Sequence, residues 1–179
     1  MKKIILLMAL ALLAGCETTP HKEPSIGPER YIELTYEAAD RLIGQLSQQG
    51  AVANKSDPIL VATVVSVDEL EIASRLGRSI SEQVAARLTQ KGYKVVEVKL
   101  RGSLFVKRAE GELLLSRELA QISQTYRAPA VVVGTYAPAT NFVHINLKVV
   151  SAESQLVLAA ADYGLPLDDN TKTLLYTKR

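Results

Sequence analysis

The residues able to do chemistry in this 179-residue chain are few and scattered. Cys16 is its single cysteine, and it closes the stretch Leu13-Ala14-Gly15-Cys16. A thiol that follows an apolar run and two small residues suits covalent acylation better than catalysis. A second group is Asp68, Glu69, Arg75 and Arg78. Carboxylates and guanidinium groups at this spacing would line a polar crevice beyond a strand C-terminus, where open α/β sheets hold ligands. The plainer alternative is a helix cap with solvated ion pairs, and the residues favour it. His144 stands without a Cys or His neighbour in sequence, so it does not form a metal-ligand cluster. No G-x-G-x-x-G, G-x-x-x-x-G-K-[ST] or G-x-S-x-G motif is present, so dinucleotide, P-loop and α/β-hydrolase chemistries lack their signatures. The expectation is a non-enzyme with no catalytic, cofactor or metal site.

Met1-Lys2-Lys3 followed by the apolar run Ile4–Leu13 reads as a signal peptide, residues 1–15. The run falls well short of the roughly 20 apolar residues that span a bilayer. Leu13-Ala14-Gly15-Cys16 resembles the lipobox of bacterial lipoproteins. That likeness implies cleavage between Gly15 and Cys16, with diacylglyceryl and N-acyl groups on Cys16 holding the chain to membrane lipid. More than one acyl chain gives stable attachment. Glu17 stands where aspartate favours inner-membrane retention in enterobacterial lipoproteins, so the expected location is the periplasmic face of the outer membrane. Residues 16–27, with two prolines and few apolar side chains, read as a tether. Loss of Lys2 and Lys3 takes the basic count from 21 to 19, against 19 acidic residues. A neutral mature chain gives no hint of nucleic-acid binding.

The elements that must position these groups fill residues 28–166. Leu34, Ala38, Leu42 and Leu46 recur at helical spacing after Pro28. Ile59–Val67 is β-branched and apolar on both faces, which predicts a central strand buried on both sides. Leu76, Ile80, Val84 and Leu88 mark a second helix, starting at either Ser74 or Ser79 and stopped by Gly92. Tyr93–Leu100 alternates as a strand. Residues 101–112 leave a hairpin and a helical excursion equally open. Ser116–Tyr126 reads as a third helix. Ala130–Ala137, Asn141–Val150 and Gln155–Tyr163 read as strands, the last pair as an antiparallel meander. Residues 167–179 form a polar C-terminal tail, either a short helix or a loose end. This order predicts one three-layer α/β domain: a mixed, about five-stranded sheet of parallel βαβ units plus the meander, flanked by helices.

Five stretches then resemble the FlgO-type flagellar outer-membrane lipoproteins. They are Val67-Asp68-Glu69-Leu70, Gly77-Arg78 with Ser81-Glu82-Gln83, Gly92-Tyr93-Lys94-Val95-Val96-Glu97, Leu115-Ser116-Arg117, and Val133-Gly134-Thr135-Tyr136. The likeness covers about Tyr31–Pro166. It implies a non-enzymatic protein needed for motility, with flagellar basal-body or outer-membrane ring proteins as partners and self-association as a further expectation. Asp68, Glu69, Arg75, Arg78, Arg117 and Tyr136 are then the interaction or structural residues to examine. Two other readings stand beside it: a periplasmic regulator of a cell-wall synthesis or export machine, and a small-ligand-binding α/β domain using Asp68 and Arg78.

Overall fold

A computed structural model describes residues 26–49, 55–70, 73–98, 105–106, 114–115 and 117–176, with backbone alone at 105–106, 114–115 and 117–118. The expected signal peptide, Gly15, Cys16, most of the tether and the Ser116 cap lie outside these residues. The elements in order are α1 (Pro28–Gln49), β1 (Pro58–Ala62), β2 (Val65–Ser66), α2 (Arg75–Gln90), β3 (Lys94–Val98), β4 (Phe105–Val106), β5 (Leu114–Leu115), α3 (Arg117–Tyr126), β6 (Ala130–Pro138), β7 (Phe142–Ser151), β8 (Val157–Pro166) and α4 (Asp169–Leu175). The main sheet runs β3-β1-β6-β7-β8, with β2 pairing on β6 as the continuation of β1. β1 lies parallel to both β3 and β6, while β6–β7 and β7–β8 are antiparallel. This is the mixed sheet that the chain order predicts.

Helices cover both faces. Leu42 and Leu46 of α1 and Leu76, Ile80, Val84 and Leu88 of α2 bury against one face, over Ile59, Val61, Val132, Ile145 and Leu147. Leu119 of α3 buries against the other, with Leu60, Val131 and Val133. Strands β1 and β6 are therefore apolar on both sides, whereas β7 alternates because α3 covers only part of the second face. Each fully buried Leu or Ile contributes roughly 1.5–3 kcal/mol of transfer free energy.

Two features depart from a simple reading of the pattern. Ile59–Val67 is not one strand: Thr63 and Val64 interrupt it between β1 and β2. Residues 167–176 are no loose end. Asp168 caps α4 by accepting the Thr171 N–H at 2.8 Å, and Leu167, Leu174 and Leu175 join the core. Within the segment left open at 101–112, Phe105–Val106 form β4, which pairs antiparallel with β5 just beyond it, registered Phe105↔Leu115.

The two sheet edges are finished differently. Gln45 of α1 clamps the outer edge of β8: its amide donates to the Ala160 carbonyl at 2.8 Å and accepts the Ala160 N–H at 3.1 Å. Arg41 donates to the Asp162 carbonyl at 3.2 Å. Among the described residues no such side chain covers the outer edge of β3. An open edge can accept a further strand.

Candidate functional site

The carboxyl end of the parallel strands is where the sequence places Asp68, Glu69, Arg75 and Arg78. The structure gathers them there. Asp68 and Glu69 follow β2, exposed, and Arg75 and Arg78 project from the first turns of α2. Ser74 is the α2 N-cap, its hydroxyl accepting the Gly77 N–H at 3.1 Å, so the helix starts at Ser74 rather than Ser79. Arg78 donates to the Ala73 carbonyl at 2.9 Å, curling back on its own helix start. The recess beside Arg78, with Glu82 and Glu97 on its walls, holds about 10 Å³, about one water's worth of space.

Close packing accounts for this. A Cβ on Gly77 would strike the Val64 carbonyl oxygen and come within 3.2 Å of the Tyr136 ring. The Val64 N–H, freed by the break between β1 and β2, donates to Ser81 Oγ at 2.8 Å, and Ser81 donates to the Gly77 carbonyl at 2.8 Å. A buried peptide N–H without a partner is costly, so this stitch makes the strand break affordable. Gly134 is a second close approach: a Cβ there would lie 2.8 Å from the Asn146 carbonyl oxygen. Gly77, Ser81, Gly134 and Tyr136 are thus packing residues. Arg117 begins α3, and its side chain is outside the description.

The opposite end of the sheet carries a cleft of about 400 Å³. It lies where β1 and β6 begin and β7 ends. Asp57 borders it from before β1, Ser123, Gln124 and Arg127 from the end of α3, and Ala152 and Glu153 from the β7–β8 turn. The Ala152 N–H donates to the Pro129 carbonyl at 2.9 Å, which ties that turn to the α3 exit. Sequence reasoning missed this cleft.

Two further groups complete the polar inventory. On the uncovered face of β7 and β8, His144 Nε2 lies 3.4 Å from Asp162 Oδ1, both side chains about half exposed. Asn146 donates to the same oxygen at 2.5 Å. On the helical face, Arg87 of α2 grips Asp40 of α1 through two bonds, 2.9 and 2.6 Å, and stacks over Tyr36 at 5.1 Å. The Arg87 hydrogen bonds hold the Asp40 carboxyl below its ordinary pKa. Burial pushes the Tyr163 hydroxyl pKa up, and that hydroxyl bonds Thr35 Oγ1 at 2.9 Å inside the core. Among the described residues no cluster of three or more His, Cys, Asp or Glu is placed to hold a metal, and no helix is long and apolar enough to cross a membrane.

The family model described as FlgO protein matches residues 36–170, three-quarters of the chain. The chain belongs to the FlgO family. Its sheet and helices are also similar to parts of several solved structures. The LpoB C-terminal domain from Escherichia coli is 11% identical, with 75% of this chain and 97% of that chain covered and a TM-score of 0.48. The PelC dodecamer from Paraburkholderia phytofirmans is 12% identical over 63% and 72%, at 0.44. Lipoprotein GNA1162 from Neisseria meningitidis is 12% identical over 64% and 85%, at 0.42. Likeness at this level bears on neither partners nor chemistry. No curated protein matches the chain.

Proposed function

We propose that this FlgO-family chain is an outer-membrane lipoprotein of the flagellar apparatus. It is anchored through Cys16 and acts as a non-enzymatic periplasmic module that supports flagellar assembly or stability, and so motility. The observation that carries the reading is the family match over residues 36–170. It is joined by the lipobox-like Leu13-Ala14-Gly15-Cys16. In this reading the flagellar outer-membrane ring proteins are the partners, and the β3 edge, which no described side chain covers, is one surface on which they or a second copy can dock.

The test is a Cys16→Ser variant expressed in place of the wild-type chain. It should fold normally, leave the outer-membrane fraction and fail to restore swimming to a strain lacking the gene. Attachment retained in the variant would contradict the anchor. Swimming unaffected by deletion of the gene would contradict the flagellar role, whatever the anchor does.

A further inference from the structure

Arg127 sits where a glycine would serve the fold better. It follows the last turn of α3 with φ 53°, in the left-handed region. The Ala128 N–H donates to the Ser123 carbonyl at 2.9 Å and the Arg127 N–H to the Gln124 carbonyl at 3.1 Å. That pair of bonds is the Schellman ending, whose left-handed residue is usually glycine because a Cβ there crowds the backbone. An arginine at this position is strained, and its side chain borders the cleft of about 400 Å³ described above. Strained backbone of this kind gathers at functional positions.

The charges around the cleft are the second observation. Asp57 and Glu153 border it with Arg127, and all three are exposed. Among the described residues, none of these side chains forms an ion pair with another charge or a hydrogen bond. All three are therefore available to a ligand, unlike Asp40 and Arg87, which engage each other. The last turn of α3 has no basic residue, so its carbonyl end adds negative potential on the Gln124 side of the cleft. One guanidinium and two carboxylates, held apart around a recess of small-molecule size, present both signs of charge to whatever enters.

We propose that this cleft is a binding site for a small zwitterion of about dipeptide size, its carboxylate on the Arg127 guanidinium and its ammonium toward Asp57 and Glu153. The site lies at the amino end of the parallel strands, away from Asp68 and Arg78, and does not depend on the envelope role proposed above.

The probe is L-alanyl-L-alanine, titrated into the isotope-labelled full chain and followed by two-dimensional NMR. Saturable shifts should be confined to residues around the cleft, such as Gln124, Ala152 and Glu153. N-acetylated and C-amidated dialanine, each keeping one charge, should bind at least roughly tenfold more weakly, since each loses a charge-assisted contact. Arg127→Gly should lose binding by the same factor while its unfolding midpoint stays equal or rises, because glycine relieves the left-handed strain. Arg127→Gln keeps the side-chain length without the charge and should also lose binding. The proposal is overturned by any of three results: no saturable shift at the cleft, half-blocked dipeptides binding as well as the zwitterion, or both Arg127 variants binding like wild type.

Discussion

The two ends of the sheet carry similar residue types and use them in opposite ways. At the carboxyl end, Gly77, Ser81 and Tyr136 close the space between α2 and the strands. Of the charged residues expected to line a crevice there, Arg78 borders a recess of about 10 Å³, and Asp68, Glu69 and Arg75 lie outside its lining. At the amino end, Asp57, Arg127 and Glu153 stand around open space of about 400 Å³. Among the described residues, the end that open α/β sheets generally reserve for ligands is here given to packing. A strand break has to be closed, and a helix start pressed onto it closes it. The other end is left to loops, whose charges are free to face outward.

Substitutions can break or sharpen this contrast. The largest effect is expected from Gly77→Ala. Alanine in an unhindered helix is favourable by about 1 kcal/mol, but here its Cβ meets the Val64 backbone, and overpacking of that kind costs about 3 kcal/mol. Chemical denaturation should show the loss; a gain in stability would mean that the carboxyl end is not closed. Ser81→Ala strands the Val64 N–H and should cost about 2 kcal/mol, read from the same curves. Gln45→Ala removes the clamp on the β8 edge. It should lower stability by about 1 kcal/mol and raise self-association in sedimentation, since the β8 edge then loses its cover.

The smallest effect concerns pH at the amino end, where Arg87 and Asp40 join α2 to α1. The Asp40 carboxyl lies below its unfolded value of roughly 3.9. Its stabilisation is therefore fully present above that value and is lost as pH falls through the lower folded one. The gap in thermal midpoint between wild type and Asp40→Asn should be small near neutrality, because the pair is partly exposed. It should shrink as pH falls below the unfolded value and vanish once pH passes below the lower folded one. A gap that widens in acid would contradict the assignment.

Much of the architecture could be read from periodicity alone. Leu76, Ile80, Val84 and Leu88 announce α2 because one helical face meets the sheet. Val143, Ile145, Leu147 and Val149 announce β7 because only one of its faces is covered. The interruption at Thr63–Val64 was hidden, since both residues are as strand-like as their neighbours and the partner that permits the break, Ser81, comes 17 residues later. The order of α4 was half visible: Asp168 three residues before Thr171 is a capping pattern, while Leu174 and Leu175 alone are too short a stripe to decide. The amino-end cleft was invisible because Asp57, Arg127 and Glu153 come from three distant turns, each unremarkable by itself. One local signal existed. The α3 helix ends at Arg127-Ala128-Pro129 without the glycine that a left-handed ending favours.

The family match accounts for the envelope reading better than any single side chain does, and one measurement tests that reading most directly. Flagellar basal bodies purified with their outer-membrane structures would be analysed by quantitative mass spectrometry, with this chain measured against known ring components. The account predicts enrichment in fixed proportion to the ring proteins, abolished by Cys16→Ser. Abundance elsewhere in the outer membrane with none in the basal bodies would contradict it.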